Sequence, residues 1–446
     1  MSLARLVGAS FNNVPGRLKV AELFFKVPLD YSKPEGETVK LFARSVRRRP
    51  SAAQVTKPED LPWLLYLQGG PGYGCGQPQD ISWVNLFLDK GYQILLLDQR
   101  GTGLSSPITA ATLRYKGDAA KQAEYLKHFR ADNIVRDCEA VRAYLTAEAP
   151  PALKKWSLLG QSYGGFCCTT YLSKHPEGLK EVFITGGLPP VSAKNPDATY
   201  SYTFDKLAQR NEAYYAKYPS DIERVRTIVQ HLHDHEVKLP GGILTPERFR
   251  QMGLAFGMAG GIDHVHDVIL RASNDLEATE GLTKPTLAII DSMTSFDNAI
   301  LYAVFQEAIY CQGQASNWSA ERFLAKNPAF SAEADKIYFT GEMVFTHMYN
   351  SSDELSQIRG AAELIATTSD WPDLYDEEQL ARNVIPVYAA TYMDDMYVPF
   401  ELAQETAKKI KGCKQYITNV MYHSALRSNS TDVIKELFNL RDDTID

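Results

Sequence analysis

Short continuous apolar runs, separated by stretches of helical periodicity, dominate the first half of the chain. WLLYLQ (63–68), YQILLLD (92–98), WSLLG (156–160) and EVFITG (181–186) have the length and composition of strands covered on both faces. Helical spacing lies between them. In FRADNIVRDCEAVRAYL (129–145), Ile134, Cys138, Val141 and Leu145 recur every three or four residues and share one face. Strands alternating with helices predict a doubly wound, mostly parallel α/β sheet. Ahead of it, LKVAELFFKVPLDY and TVKLFARSVRR alternate apolar and polar positions on either side of SKPEGE. That pattern predicts two antiparallel strands and their turn.

The pattern changes after Pro189-Pro190. From 191 to 375 the spacing is helical, rich in Tyr, Glu and Arg, with no strand series; strand-like runs return at IPVYAATY (385–392) and KQYITN (414–419). The expected organisation is one α/β domain, 1–190 with 376–446, interrupted by a helical cap over 191–375. No internal repeat recurs at a fixed period.

Composition narrows the classes without choosing a fold. A formal charge of −7 over 446 residues lacks the basic face that nucleic-acid binding needs. No apolar run is long enough to span a membrane, and the N-terminal segment lacks the apolar core of a signal peptide. Six cysteines in a chain of this length, Cys167 and Cys168 adjacent on one predicted helix, do not read as a disulfide framework. A cytoplasmic setting is expected, and there the sequons at Asn317, Asn350 and Asn429 carry no glycan.

The chemistry concentrates at GQSYGG, residues 160 to 165, between the strand WSLL and the helical FCCTTYLSKH. Gly-x-Ser-x-Gly at a strand-to-helix turn is the pattern of a nucleophile elbow, which presents a strained serine above the sheet of an α/β-hydrolase fold. The helix N-terminus behind Ser162 supplies free N–H groups for an oxyanion, among them that of Tyr163. A serine hydroxyl needs a base and an orienting acid, and in this fold they follow in the order Ser, Asp or Glu, His. His423 is the histidine that follows the last predicted strand. The acid is Asp394 or Asp395, both just after IPVYAATY. The loop Gln68-Gly69-Gly70-Pro71-Gly72, after WLLYL, lets backbone approach the substrate oxygen closely. Asp98-Gln99-Arg100-Gly101-Thr102-Gly103 reads as a structural turn near the site.

GGPG, DQRGTG, GQSYGG, DDMYVP and YHSALR, in this order, resemble the prolyl aminopeptidases (proline iminopeptidases), in their larger bacterial and fungal form. The likeness covers most of the chain. It implies an α/β-hydrolase fold and a serine exopeptidase that releases N-terminal proline through a prolyl-enzyme, without cofactor or metal. It favours Asp395, four residues before Pro399, as the acid, and implies Gly70 and Tyr163 as oxyanion donors. Where the family often carries His before GGPG, this chain has Gln68, a change expected to affect loop support. The family's use of two cap glutamates for the substrate amine maps in order onto Glu307 in FQEAIYCQ and Glu342 in FTGEMVF. A helical setting would put Glu307 on one face with Tyr310 and Cys311.

Two other signals carry less. His231-Leu232-His233-Asp234-His235-Glu236 alternates histidines that share no helix face and contains no HExxH, so it reads as a polar helix end. Cys167 and Cys168 are expected to pack against the sheet. A broader aminopeptidase or a carboxylesterase of the same fold would keep the triad and dispense with the glutamates; a non-catalytic binding protein of the fold would usually lose a triad member. The expected partners are short peptides beginning with proline, and neither nucleic acid nor membrane.

Overall fold

A computed structural model describes residues 3–49, 61–279, 281–332 and 334–443. Among the described residues nine strands form one sheet in the order β1-β2-β3-β5-β4-β6-β7-β10-β11. The antiparallel edge comprises β1 (Arg5–Val14), β2 (Leu18–Pro28) and β3 (Thr38–Arg48), the last pairing antiparallel with β5 (Gln93–Asp98). From β5 the sheet runs parallel through β4 (Trp63–Leu67), β6 (Trp156–Gln161), β7 (Leu179–Thr185), β10 (Val387–Tyr392) and β11 (Cys413–Thr418). The period of two is visible in the packing. Leu65, Leu67, Leu95, Leu97 and Leu158 enter one apolar cluster, whereas Leu64, Tyr66, Ile94, Leu96 and Leu159 enter the other.

β1 has no counterpart in the sequence expectation. Its residues are exposed or half-buried throughout, so neither face carries a continuous apolar set. Between β7 and β10 the chain runs mainly through helices, of which Asp197–Lys217 and Gly261–Thr279 are long. It also contains a small antiparallel hairpin, β8 (Val237–Leu239) with β9 (Gly242–Leu244), too short to leave a period. The predicted helix over 129–145 is observed as Ala131–Leu145. Its Asp137 forms a buried ion pair with Arg100, 2.5 Å from Nη2 to Oδ1, and the guanidinium also donates to the carbonyls of Leu29 and His128. No helix among the described residues is long and apolar enough to cross a membrane.

Candidate active site

Ser162 sits where β6 ends and the helix Tyr163–Lys174 begins, with φ 55° and ψ −124°. That backbone is unfavourable for an L-residue, and the surrounding contacts hold it. The Ser162 N–H donates to the Thr185 carbonyl (2.9 Å), and its carbonyl accepts from the Gly165 N–H (2.7 Å). The glycines allow the close approach behind it: a Cβ on Gly164 would lie 1.9 Å from the Leu67 carbonyl oxygen. Cys167 and Cys168, further along this helix, are fully buried in the apolar core.

The loop after β4 crosses in front of the serine. Gln68 accepts at Oε1 from the Gly69 N–H (3.0 Å) and from the Tyr66 hydroxyl (2.7 Å). Its amide thus braces the loop where the resembling family often has histidine. Asp98, at the end of β5, accepts from the N–H groups of Cys75 (2.7 Å) and Leu104 (2.9 Å), tying the glycine loop to the DQRGTG turn. The Gly70 and Tyr163 N–H groups find no acceptor among the described residues.

His423 and Asp395 meet above the C-terminal ends of the strands. Nδ1 of His423 lies 2.7 Å from Oδ2 of Asp395, and Asp395 Oδ1 accepts from the N–H groups of Tyr397 (2.9 Å) and Val398 (3.0 Å). Both residues are buried. Burial alone would lower the imidazolium's pKa. The charge and hydrogen bond of Asp395, with the charge of Glu342, outweigh it and raise His423 above its ordinary value. Asp394 points elsewhere: its half-exposed carboxylate pairs with Lys206 at 3.4 Å.

Ser162, His423, Gln68, Gly69, Gly70, Tyr73 and Glu342 line one cavity of about 520 Å³. Cap residues Met252, Leu254, Met258, Met293, Phe296 and Tyr302 close its apolar side. Tyr302 donates to Glu342 Oε1 at 2.7 Å, and burial pushes the Glu342 carboxyl up to about 7, against the opposing pull of His423 and of this hydrogen bond. A half-buried carboxylate beside a serine and a histidine, with an apolar wall, can hold an ammonium next to an acyl carbon.

Glu307 does not line that cavity. It lies between the helix Ile300–Phe305 and the turn Ala308–Tyr310 rather than within a helix. Its two carboxylate oxygens accept from the N–H groups of Ser319 (3.0 Å) and Ala320 (2.8 Å). With both oxygens accepting from backbone, Glu307 ties two cap segments together. Burial raises its pKa, opposed by these hydrogen bonds.

Sequence reasoning passed over Tyr73, Tyr302, Tyr397 and Arg427. Tyr397 lies within DDMYVP and Arg427 ends YHSALR, so both stood inside quoted motifs, and Tyr73 directly follows GGPG. Tyr302 is 40 residues from its partner Glu342 and left no local signal. Among the described residues one grouping brings three potential metal ligands together, Glu139, His175 and Glu177. Glu139 is already paired with Arg142 at 2.6 Å, and none of the three lines the cavity.

A family model described as alpha/beta hydrolase fold matches residues 62–237. The chain is 47% identical to a proline iminopeptidase of Aspergillus aculeatus over 445 residues, 99% of this chain and 98% of that one. It is 40% identical to a proline iminopeptidase of Aeromonas sobria over 424 residues, 94% and 96% of the two chains. Among solved structures, a proline iminopeptidase of Mycobacterium smegmatis aligns with a TM-score of 0.43 at 13% identity, covering 94% of this chain and 97% of that one.

Proposed function

The chain belongs to the proline iminopeptidases of the α/β-hydrolase fold, and from that premise we propose that Ser162, His423 and Asp395 carry its prolyl aminopeptidase reaction, with Glu342 holding the substrate ammonium. One observation carries the assignment: the 2.7 Å His423–Asp395 hydrogen bond stands in the cavity that also contains Ser162 and Glu342.

His423 takes the Ser162 Oγ proton at Nε2 as the oxygen attacks the prolyl carbonyl. Asp395 keeps the other ring nitrogen protonated and stabilises the imidazolium. The Gly70 and Tyr163 N–H groups receive the oxyanion. Collapse breaks the C–N bond, and His423 passes its proton to the departing amine. Water, deprotonated by His423, then attacks the prolyl ester, and the returning proton frees Ser162. Glu342 acts before chemistry. A secondary ammonium entering an apolar wall is costly unless a carboxylate meets it, so the glutamate selects a free N-terminus.

The catalytic unit is residues 1–190 with 376–446 and the cap is 191–375, a lid that restricts the cleft to the end of a chain. Short peptides beginning with proline are the substrates, and neither nucleic acid nor membrane is a partner. A cytoplasmic setting suits six cysteines that are all unpaired. Hydrolysis of a prolyl arylamide beside a short-chain acyl ester tests the assignment. The expected result is strong preference for the arylamide, no turnover by Ser162→Ala, and selective loss of the prolyl substrate in Glu342→Gln. Preference for the ester, unchanged in Glu342→Gln, would remove the amine site.

A further inference from the structure

Arg427 stands at the mouth of the same cavity, on the turn Ala425–Ser428 that follows His423. Its side chain has one hydrogen bond, Nη2 donating to Gln161 Oε1 at a long 3.4 Å. No carboxylate lies within ion-pair distance of it among the described residues, although acidic side chains outnumber basic ones in this chain by 54 to 47. An exposed cation at a cleft mouth is usually only solvated; this one lines the cavity that Ser162, His423 and the Glu342 carboxylate also line.

Glu342 enters from the cap, held by Tyr302, while Arg427 rises from the catalytic unit beside Gln161. Tyr73 stacks edge-on against Tyr302 at 5.7 Å and lies in the field of both charges, negative from Glu342 and positive from Arg427. His423 feels both in the same way. The base and the glycine loop therefore border one cavity with a carboxylate from the cap and a guanidinium from the catalytic unit. A dipeptide beginning with proline is a zwitterion whose ammonium and carboxylate flank its single peptide bond, about 7 Å apart at most. A cavity of about 520 Å³ is in the size class that encloses a small ligand.

We propose that Arg427 is the subsite for the α-carboxylate of a short substrate, so that the enzyme prefers free dipeptides beginning with proline to C-terminally blocked ones. This rests on the placement of Ser162 and Glu342 in the reaction given above. The guanidinium fork meets a carboxylate through two parallel N–H donors, a geometry an amide terminus cannot reciprocate. Glu342 then reads the amine, Arg427 the carboxylate, and Ser162 attacks between them.

The test compares kcat/KM for Pro-Ala and Pro-Ala amide in wild type, Arg427→Gln, Arg427→Lys and Ser162→Ala. In wild type the free acid should lead by on the order of tenfold or more, mainly through KM. The ratio should fall towards one in Arg427→Gln and be partly kept in Arg427→Lys. Added salt should reduce it in wild type. If Arg427 only braces Gln161 beneath the elbow, both substrates lose equally and the ratio stands; that result, or a wild-type ratio near one, overturns the subsite. Turnover by Ser162→Ala would remove the site assignment and the inference together. An inactive Ser162→Ala with a wild-type ratio near one removes the carboxylate subsite alone.

Discussion

The phenolic hydroxyl of Tyr302 donates to Glu342 Oε1 at 2.7 Å, turning a cap carboxylate towards a cavity that also holds His423. Opposing influences meet on that carboxylate. Burial raises its pKa to about 7, while His423 and the Tyr302 hydrogen bond pull it down. The group is thus poised to lose its proton near neutrality, when an incoming ammonium most favours the charged form.

The acid limb of the pH profile follows from this. His423, its pKa raised above the ordinary value, must be neutral to act as a base, and Glu342 must be ionised to meet an ammonium. Glu342 gains its proton at about 7 and His423 above its ordinary value, and both protonations suppress kcat/KM as pH falls, so the limb should approach a slope of about two and drop to about one in Glu342→Gln. Tyr302→Phe removes a hydrogen bond that favours the ionised carboxylate, so its limb should move to higher pH. Profiles on a prolyl arylamide check this; a wild-type limb of slope one, unmoved in Tyr302→Phe, would contradict it.

The two adjacent aspartates should separate cleanly. Asp395→Asn leaves His423 without the acceptor that sets its tautomer and should cost roughly 10⁴ in kcat. Asp394→Asn touches only the exposed pair with Lys206 and should stay within about threefold. Steady-state kinetics on the two variants decides it, and equal losses would make the assignment of the acid wrong.

The two glutamates should part in a different way. Glu342→Gln is expected to lower kcat/KM for prolyl substrates by about ten- to a hundredfold, with the folded state little changed. Glu307→Gln places an NH₂ where a carboxylate oxygen accepts from the backbone of Ser319 or Ala320. That should destabilise the protein by about 1–3 kcal/mol. Denaturant midpoints read beside kinetics distinguish the two. A Glu307→Gln variant of normal stability that has lost the prolyl substrate would return Glu307 to the amine site.

Arg100 makes a stability prediction remote from the chemistry. Both partners of the Arg100–Asp137 pair are almost fully buried. Arg100→Ala would leave Asp137 charged in the interior, at a cost of about 3–5 kcal/mol. Urea unfolding measures it, and a loss below about 1 kcal/mol would mean that water reaches the site.

Local pattern carried much of this protein. The apolar runs at 63–68, 92–98, 156–160 and 181–186 became neighbouring parallel strands because continuous hydrophobicity suits only strands covered on both faces. Ser162 could be singled out because an elbow needs small residues at fixed offsets, and those offsets survive in one dimension. β1 escaped because, exposed along its length, it is held by backbone pairing to β2 and carries no apolar period. The hairpin β8–β9 escaped through its brevity.

What the sequence by itself determined is therefore what depends on near neighbours: the alternation of strand and helix, the strand-to-helix turn at Ser162, and the chain order Ser162, Asp395, His423 on which the proposed triad rests. Tertiary structure alone shows which donors and charges surround each carboxylate. Asp395, not Asp394, turns towards His423 because the Tyr397 and Val398 N–H groups hold its other oxygen. Glu342 borders the cavity while Glu307 is consumed by two backbone amides. A carboxylate's task depends on which donors and charges surround it in space, and those come from segments that the order of residues does not bring together.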